Sequence, residues 1–187
     1  RFNKKIIVPG DKSISIRWVM LSSLAIGISK SINLLESEDV KSTIRSMKKL
    51  GVKIHKKKNI YYVEGVGLNG LNVKKNEKIN AGNSGTFARL FCGLISSYAS
   101  EVTIFGDKSL SRRDFSRVIK PLQLFGVNFK SNNNKLPIKI VGTNFLRPIY
   151  YLEQKGSAQI KSAILFAALN TPGKTVIDCV KSRNHTE

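Results

Sequence analysis

Acidic residues are scarce: 12 Asp and Glu face 32 Lys and Arg, a formal net charge of +20. Such an excess predicts strong attraction to anions, with nucleic acid and phosphorylated metabolites as the two candidate classes. A third reading treats "HKKKN" and "VKKNEK" as solvated loops, and charge alone does not choose among the three. Cysteine is nearly absent. Cys92 and Cys179 are too few and too isolated for a disulfide or metal framework, and Cys92, inside "RLFCGLI", reads as a small core residue. A reducing, cytoplasmic compartment follows. Only two histidines occur, His55 in a Lys-rich hairpin and His185 near the end, neither in a ligand pattern, so no metal is expected. Polar residues break every apolar stretch short of a bilayer span, so no transmembrane helix is expected. The opening "RFNKKIIVPG" is too short and too charged for a signal peptide. It lacks an initiating methionine, which suggests a fragment of a longer chain.

A hydrophobic content of 41% with 8% aromatics excludes wholesale disorder, and 187 residues suit one domain or two small units sharing a core. One hexapeptide occurs almost twice, "GDKSIS" at 10–15 and "GDKSLS" at 106–111, each between an apolar run and a helical pattern. The chain begins as a strand, "KKIIVP", followed by a helix apolar on most sides, "SISIRWVMLSSLAIG", and a strand, "SINLL". Ser37 then caps a helix whose Val40, Ile44, Met47 and Leu50 share a face, and Gly51 ends it. "VKIH" and "IYYVEG" form a hairpin.

The same order recurs. "EKINA", "SGTFARLFCGLISS", "EVTIF", "RDFSRVIKPLQLF" and the hairpin "VNFK"/"IKIVG" follow in turn, with Pro121 expected to kink or interrupt the second helix. Gly10 and Gly82 lie 72 positions apart, as do Arg17 and Arg89. "PIYYLEQ", "GSAQIKSAILFAAL" and "KTVIDCV" start a third copy. The pattern is two β-α-β-α-β-β repeats and about half of a third, an α/β fold packed pseudo-symmetrically around one core.

Three buried helices thus start after "PGDKSIS", "AGNSGT" and "KGSAQ". Unpaired N–H groups and the helix dipole suit such ends to phosphate or carboxylate. Each dipole contributes only about 0.3–1 kcal/mol against about 1.5–3 kcal/mol for a charge-assisted hydrogen bond. Cationic side chains therefore dominate affinity, and Lys12, Arg17, Arg89, Arg112 and Arg113 are the candidates. Taken singly, Ser and Asn at these turns could be simple N-caps. Two competing motifs fail on context: "GVGLNG" at 65–70 precedes no amphipathic helix, and "PGKT" at 172–175 lacks the first glycine of a phosphate loop.

The blocks "PGDKSISIR", "GNSGTFARL", "GDKSLSRRDFSRVIKPLQLFGV", "GSAQIKSAILFAAL" and "SRNHTE" closely resemble the first half of the 3-phosphoshikimate 1-carboxyvinyltransferases (EPSP synthases), in that family's order along nearly the whole chain. The resemblance implies an inverse α/β-barrel-like enolpyruvyl transferase domain. Residues 1–187 would be the incomplete N-terminal domain, with repeats at about 4–66 and 76–142 and a partial one at about 148–187. It implies transfer of enolpyruvyl from phosphoenolpyruvate to the 5-hydroxyl of shikimate 3-phosphate, without cofactor, in a cleft shared with a second domain absent here. That domain would carry the proton-transfer carboxylates, so the chain alone is expected to bind weakly and not to catalyse. The complete enzyme would be a cytoplasmic monomer, with no nucleic-acid or membrane partner and sensitive to glyphosate, which competes with phosphoenolpyruvate in the family.

Carried over by motif, Lys12 and Arg113 are the catalytic candidates. Lys12, Gly85 and Arg113 would contact phosphoenolpyruvate, Ser13, Arg17, Ser157, the Ala158 backbone and Gln159 would hold shikimate 3-phosphate, and Asn83 would bind substrate. Arg89 fits the motif as a ligand or as a structural residue. Ile16 replaces a usual His or Asn, and Asp114 a usual proline, which adds negative charge beside Arg113. The sister family acting on UDP-N-acetylglucosamine typically has Lys-Asn in place of Lys12-Ser13 and a reactive cysteine in the loop "SLSRRDF", where none occurs. It and a basic nucleic-acid-binding protein are the alternatives.

Overall fold

A computed structural model describes residues 3–4, 6 and 8–181. In chain order the first group of elements is α1 (Lys12–Leu24), β1 (Ile26–Ile32), α2 (Glu38–Lys49), β2 (Lys53–Lys57) and β3 (Ile60–Val66). The second is β4 (Glu77–Asn80), α3 (Gly85–Leu94), β5 (Glu101–Phe105), α4 (Lys108–Ser111), α5 (Ser116–Leu124), β6 (Asn128–Asn132) and β7 (Lys135–Val141). The third is β8 (Tyr150–Glu153), α6 (Ala158–Ala168) and β9 (Val176–Cys179).

Each group has its own sheet, ordered β1-β3-β2, β4-β5-β7-β6 and β8-β9. The antiparallel set β5-β7-β6 has the order of β1-β3-β2, and the parallel pair β8-β9 that of β4-β5. The three sheets are therefore pieces of one four-stranded pattern. Asn133 and Asn134, both at positive φ, make the β6–β7 turn, the backbone that suits a two-residue hairpin.

Local chemistry explains the doubled hexapeptide. Asp11 accepts from the Ile14 amide at 2.7 Å to cap α1, and Asp107 accepts from the Leu110 amide at 2.7 Å to cap α4. Ser37 caps α2 in the same manner, with Glu38 and Asp39 in its first turn. Within α3 only Arg89 is not buried, so this helix lies at the centre of the core. It runs along α6 at very short range, because a Cβ on Gly93 would sit 1.9 Å from the Ala163 carbonyl oxygen. Cys92 is fully buried there, and burial pushes its thiol pKa up to about 12.

Three expectations need correction. Among the described residues of "KKIIVP", none is in a strand, and Ile6 and Val8 are 70% and 66% exposed; Lys5 and Ile7 lie outside the described residues. An apolar run becomes a strand only where an edge accepts its backbone groups, and among the described residues of this run the Val8 carbonyl is held by the side chain of Asn33, from Nδ2 at 3.0 Å. Helix α1 ends at Leu24, so the strand expected at 31–35 starts at Ile26, because β3 offers partners along the whole of Ile26–Ile32. Finally, α5 runs through Pro121, and the interruption falls upstream, between Ser111 and Ser116. Among the described residues no helix is long and apolar enough to cross a membrane.

Candidate functional site

Side-chain bonds tie the N-termini of α1, α3 and α6 together. Arg17, one turn into α1, donates from Nε and Nη2 to Ser162 Oγ at 3.0 and 2.8 Å, and from Nη2 to the Ala158 carbonyl at 3.2 Å. Its Nη1 donates to the Ser13 carbonyl at 3.1 Å. The guanidinium is buried, which lowers its pKa against the opposing influence of Asp11. Arg17 thus joins two helices and has little donor capacity left for a ligand. Gln159 Nε2 donates to Thr86 Oγ1 at 2.9 Å and joins α6 to α3.

At α3, Ser84 accepts from the Phe87 amide, and Gly85 opens the helix. Two guanidiniums flank that glycine: a Cβ on Gly85 would meet Arg89 Nη1 at 2.9 Å and Arg113 Nη1 at 3.0 Å. Arg89 donates to the Gly85 carbonyl at 3.2 Å and to the Asp114 carbonyl at 3.1 Å, with its Cζ 4.7 Å from the Phe115 ring centre. Burial, then the positive charge of Arg113, holds its pKa below the usual arginine value. Asn83 accepts from Arg113 Nη2 at 3.3 Å and donates to Asp107 at 2.7 Å, which ties the α4 start to the α3 start. Among the described residues neither Arg89 nor Arg113 forms an ion pair within 4.0 Å. Two like charges beside one helix start, without a paired carboxylate, are an arrangement that an anion neutralises.

At α6, Ser13, Ser157, Ala158 and Gln159 line one cleft of about 390 Å³ with Gly156, Arg117 and Lys155. The Ser157 amide donates to Glu153 Oε2 at 2.8 Å, and the Ser157 hydroxyl makes no capping bond. Lys12 turns instead toward Asp39, 3.2 Å away on α2, with its side chain half exposed. Arg112 is exposed at the end of α4.

Both departures from the motif have a local explanation. Ile16 is fully buried in the core, where a polar ring would lose its water. The Asp114 carboxylate accepts from the Ser116 amide at 3.1 Å and from the Ser116 hydroxyl, bonds that depress its pKa. It therefore closes a turn onto Ser116, the first residue of α5, whose N-cap is Phe115. Sequence reasoning missed Thr86, Asp107, Lys155 and Arg117; a further arginine in "SRRDFSR", the run that also holds Arg113, was the available signal. His55 stacks on Tyr62, and His185 and "SRNHTE" lie outside the described residues.

The structure has an α/β enolpyruvyl transferase fold. It superposes on an EPSP synthase from Acinetobacter baumannii with a TM-score of 0.91 and 36% identity, covering 98% of this chain and 42% of that one. The family model for EPSP synthase (3-phosphoshikimate 1-carboxyvinyltransferase) matches residues 1–187, and the chain belongs to that family. The 3-phosphoshikimate 1-carboxyvinyltransferase of Vesicomyosocius okutanii is 45% identical over 96% of the chain, and that of Pseudomonas sp. strain PG2982 is 43% identical over 98%. The chain spans 41% of the length of each of these relatives.

Proposed function

We propose that this chain forms the substrate-binding part of an enzyme that transfers enolpyruvyl from phosphoenolpyruvate to the 5-hydroxyl of shikimate 3-phosphate. The observation that carries the reading is the pair of guanidiniums on either side of Gly85. Arg113, with Arg89 and Asn83 beside it, holds the acidic groups of phosphoenolpyruvate against the α3 start. Lys12 releases Asp39 to reach the same anion. Ser13, Ser157, the Ala158 amide and Gln159 hold shikimate 3-phosphate in the α6 cleft. Arg17 supports that cleft from behind, through Ser162 and Ala158.

The 5-hydroxyl gives up its proton as its oxygen bonds to C2 of phosphoenolpyruvate, and C3 takes up a proton, giving a tetrahedral intermediate. Loss of that C3 proton and of the C2–phosphate bond then yields enolpyruvyl ether and inorganic phosphate. No cofactor enters the scheme. The guanidiniums neutralise the phosphate and carboxylate, and the proton-transferring groups belong to sequence beyond this chain. The complete enzyme acts as a monomer in the cytoplasm and binds no nucleic acid.

Calorimetric titration of shikimate 3-phosphate into the chain, at low and moderate salt, tests the reading. Saturable 1:1 binding is expected, weaker at the higher salt, with no release of phosphate when phosphoenolpyruvate is added. Absence of binding by folded chain would overturn the assignment of the first-substrate site. Turnover would overturn the need for further sequence.

A further inference from the structure

The cations assigned so far leave the α6 end of the site short of positive charge. Ser13, Ser157, the Ala158 amide and Gln159 are neutral. Arg17 is engaged with Ser162, Ala158 and Ser13, and Lys12 faces Asp39. A phosphate monoester carries about two negative charges at neutral pH. The cations lining this cleft are Arg117, in the first turn of α5, and Lys155.

Arg117 is aimed by a carboxylate that also serves α6. Glu153 is buried; one of its oxygens accepts from the Ser157 amide at 2.8 Å, and the other lies 3.8 Å from Arg117 Nη2. That second distance is too long for a hydrogen bond, so the guanidinium is steered without its donors being consumed. With Lys155, it more than offsets the single charge of Glu153. About half of the Arg117 side chain (49%) remains open to solvent at the mouth of the cleft.

We propose that Arg117 is a specificity-determining residue that grips the phosphate of shikimate 3-phosphate while Ser157 and Gln159 orient it. The proposal rests on the substrate assignment above and adds a residue to it. A planar fork of donors matches two phosphate oxygens, which a lysine does not.

The test is titration of shikimate 3-phosphate, and separately of shikimate, which lacks the phosphate, into the wild-type chain, Arg117→Ala and Arg117→Lys. The alanine variant should bind shikimate 3-phosphate about 10- to 150-fold more weakly, the loss of one charge-assisted hydrogen-bonded contact. Shikimate affinity and melting temperature should be unchanged, and lysine should restore part of the loss. Equal weakening of both ligands would mean that Arg117 only holds α5 against α6, and would overturn the proposal. Unchanged affinity for shikimate 3-phosphate in both variants would overturn it too, and leave the substrate assignment standing. A folded wild-type chain that binds neither compound would overturn both.

Discussion

Replacing Gly85 by alanine separates the stability of this fold from its affinity for anions. The added methyl would lie 2.9 Å from Arg89 Nη1, 3.0 Å from Arg113 Nη1 and 3.5 Å from Leu110 Cδ1. The two short contacts are with the far ends of side chains, which move more cheaply than backbone. Gly85 is the first residue of α3 and is not at positive φ, so alanine fits its backbone and the helix loses nothing. The cost falls on the guanidiniums, which must spread by a few tenths of an ångström or turn aside. Losing one charge-assisted contact corresponds to about 1.5–3 kcal/mol, or about 10- to 150-fold in affinity. The assay is titration of phosphoenolpyruvate into chain saturated with shikimate 3-phosphate, paired with a thermal melt. Weaker binding at an unchanged melting temperature is expected. Glyphosate, if it occupies the phosphoenolpyruvate position, should lose affinity in parallel. Unchanged affinity for phosphoenolpyruvate would refute the placing of its acidic groups between Arg89 and Arg113.

Two further predictions concern stability. Arg17→Ala should destabilise the chain by about 2–3 kcal/mol in urea unfolding, because it removes the bonds that join α1 to α6, and Arg17→Lys should recover only part. Glu77, nearly buried and 2.8 Å from Lys49, has its carboxyl pKa held down first by that hydrogen bond. A depressed carboxyl stabilises the fold above its unfolded pKa, and the contribution is lost as pH falls through the ordinary carboxylate range toward the folded value. Glu77→Gln should therefore remove about 1 kcal/mol at neutral pH and flatten the decline in stability below about pH 5. An unaltered acid limb would show that the pair contributes nothing.

Much of the local structure was legible because its causes are local. Ser37 before two acids, Gly51 after Leu50, and Asn-rich or Lys-rich turns between apolar strands settle helix ends and hairpins within a few residues. The doubled hexapeptide was legible as two helix starts, though not that the second would open a helix of only four residues. Strand ends were less legible. Ile26 and Gly27 read as the tail of an apolar helix, and only pairing with Val66 and Gly65 made them strand.

Arg17 and Arg89 show where the sequence by itself stops. Their equal offset from repeat-related glycines placed both about one turn into buried helices and made the helix starts candidate anion sites. By itself, then, the sequence determined most of the order of elements, the Ser37 cap, the excess of positive charge and the family. Only the tertiary structure decided what each arginine does: Arg17 reaches Ser162, 145 positions away, whereas Arg89 stays on Gly85 and the Phe115 ring. It also brought Arg117 and Ser157 to one opening, each facing an oxygen of the buried Glu153. The physical reason is range. Caps and turns are satisfied by neighbours in the chain, while the partners of a long guanidinium depend on how closely α1, α3 and α6 pack, a distance no local pattern encodes.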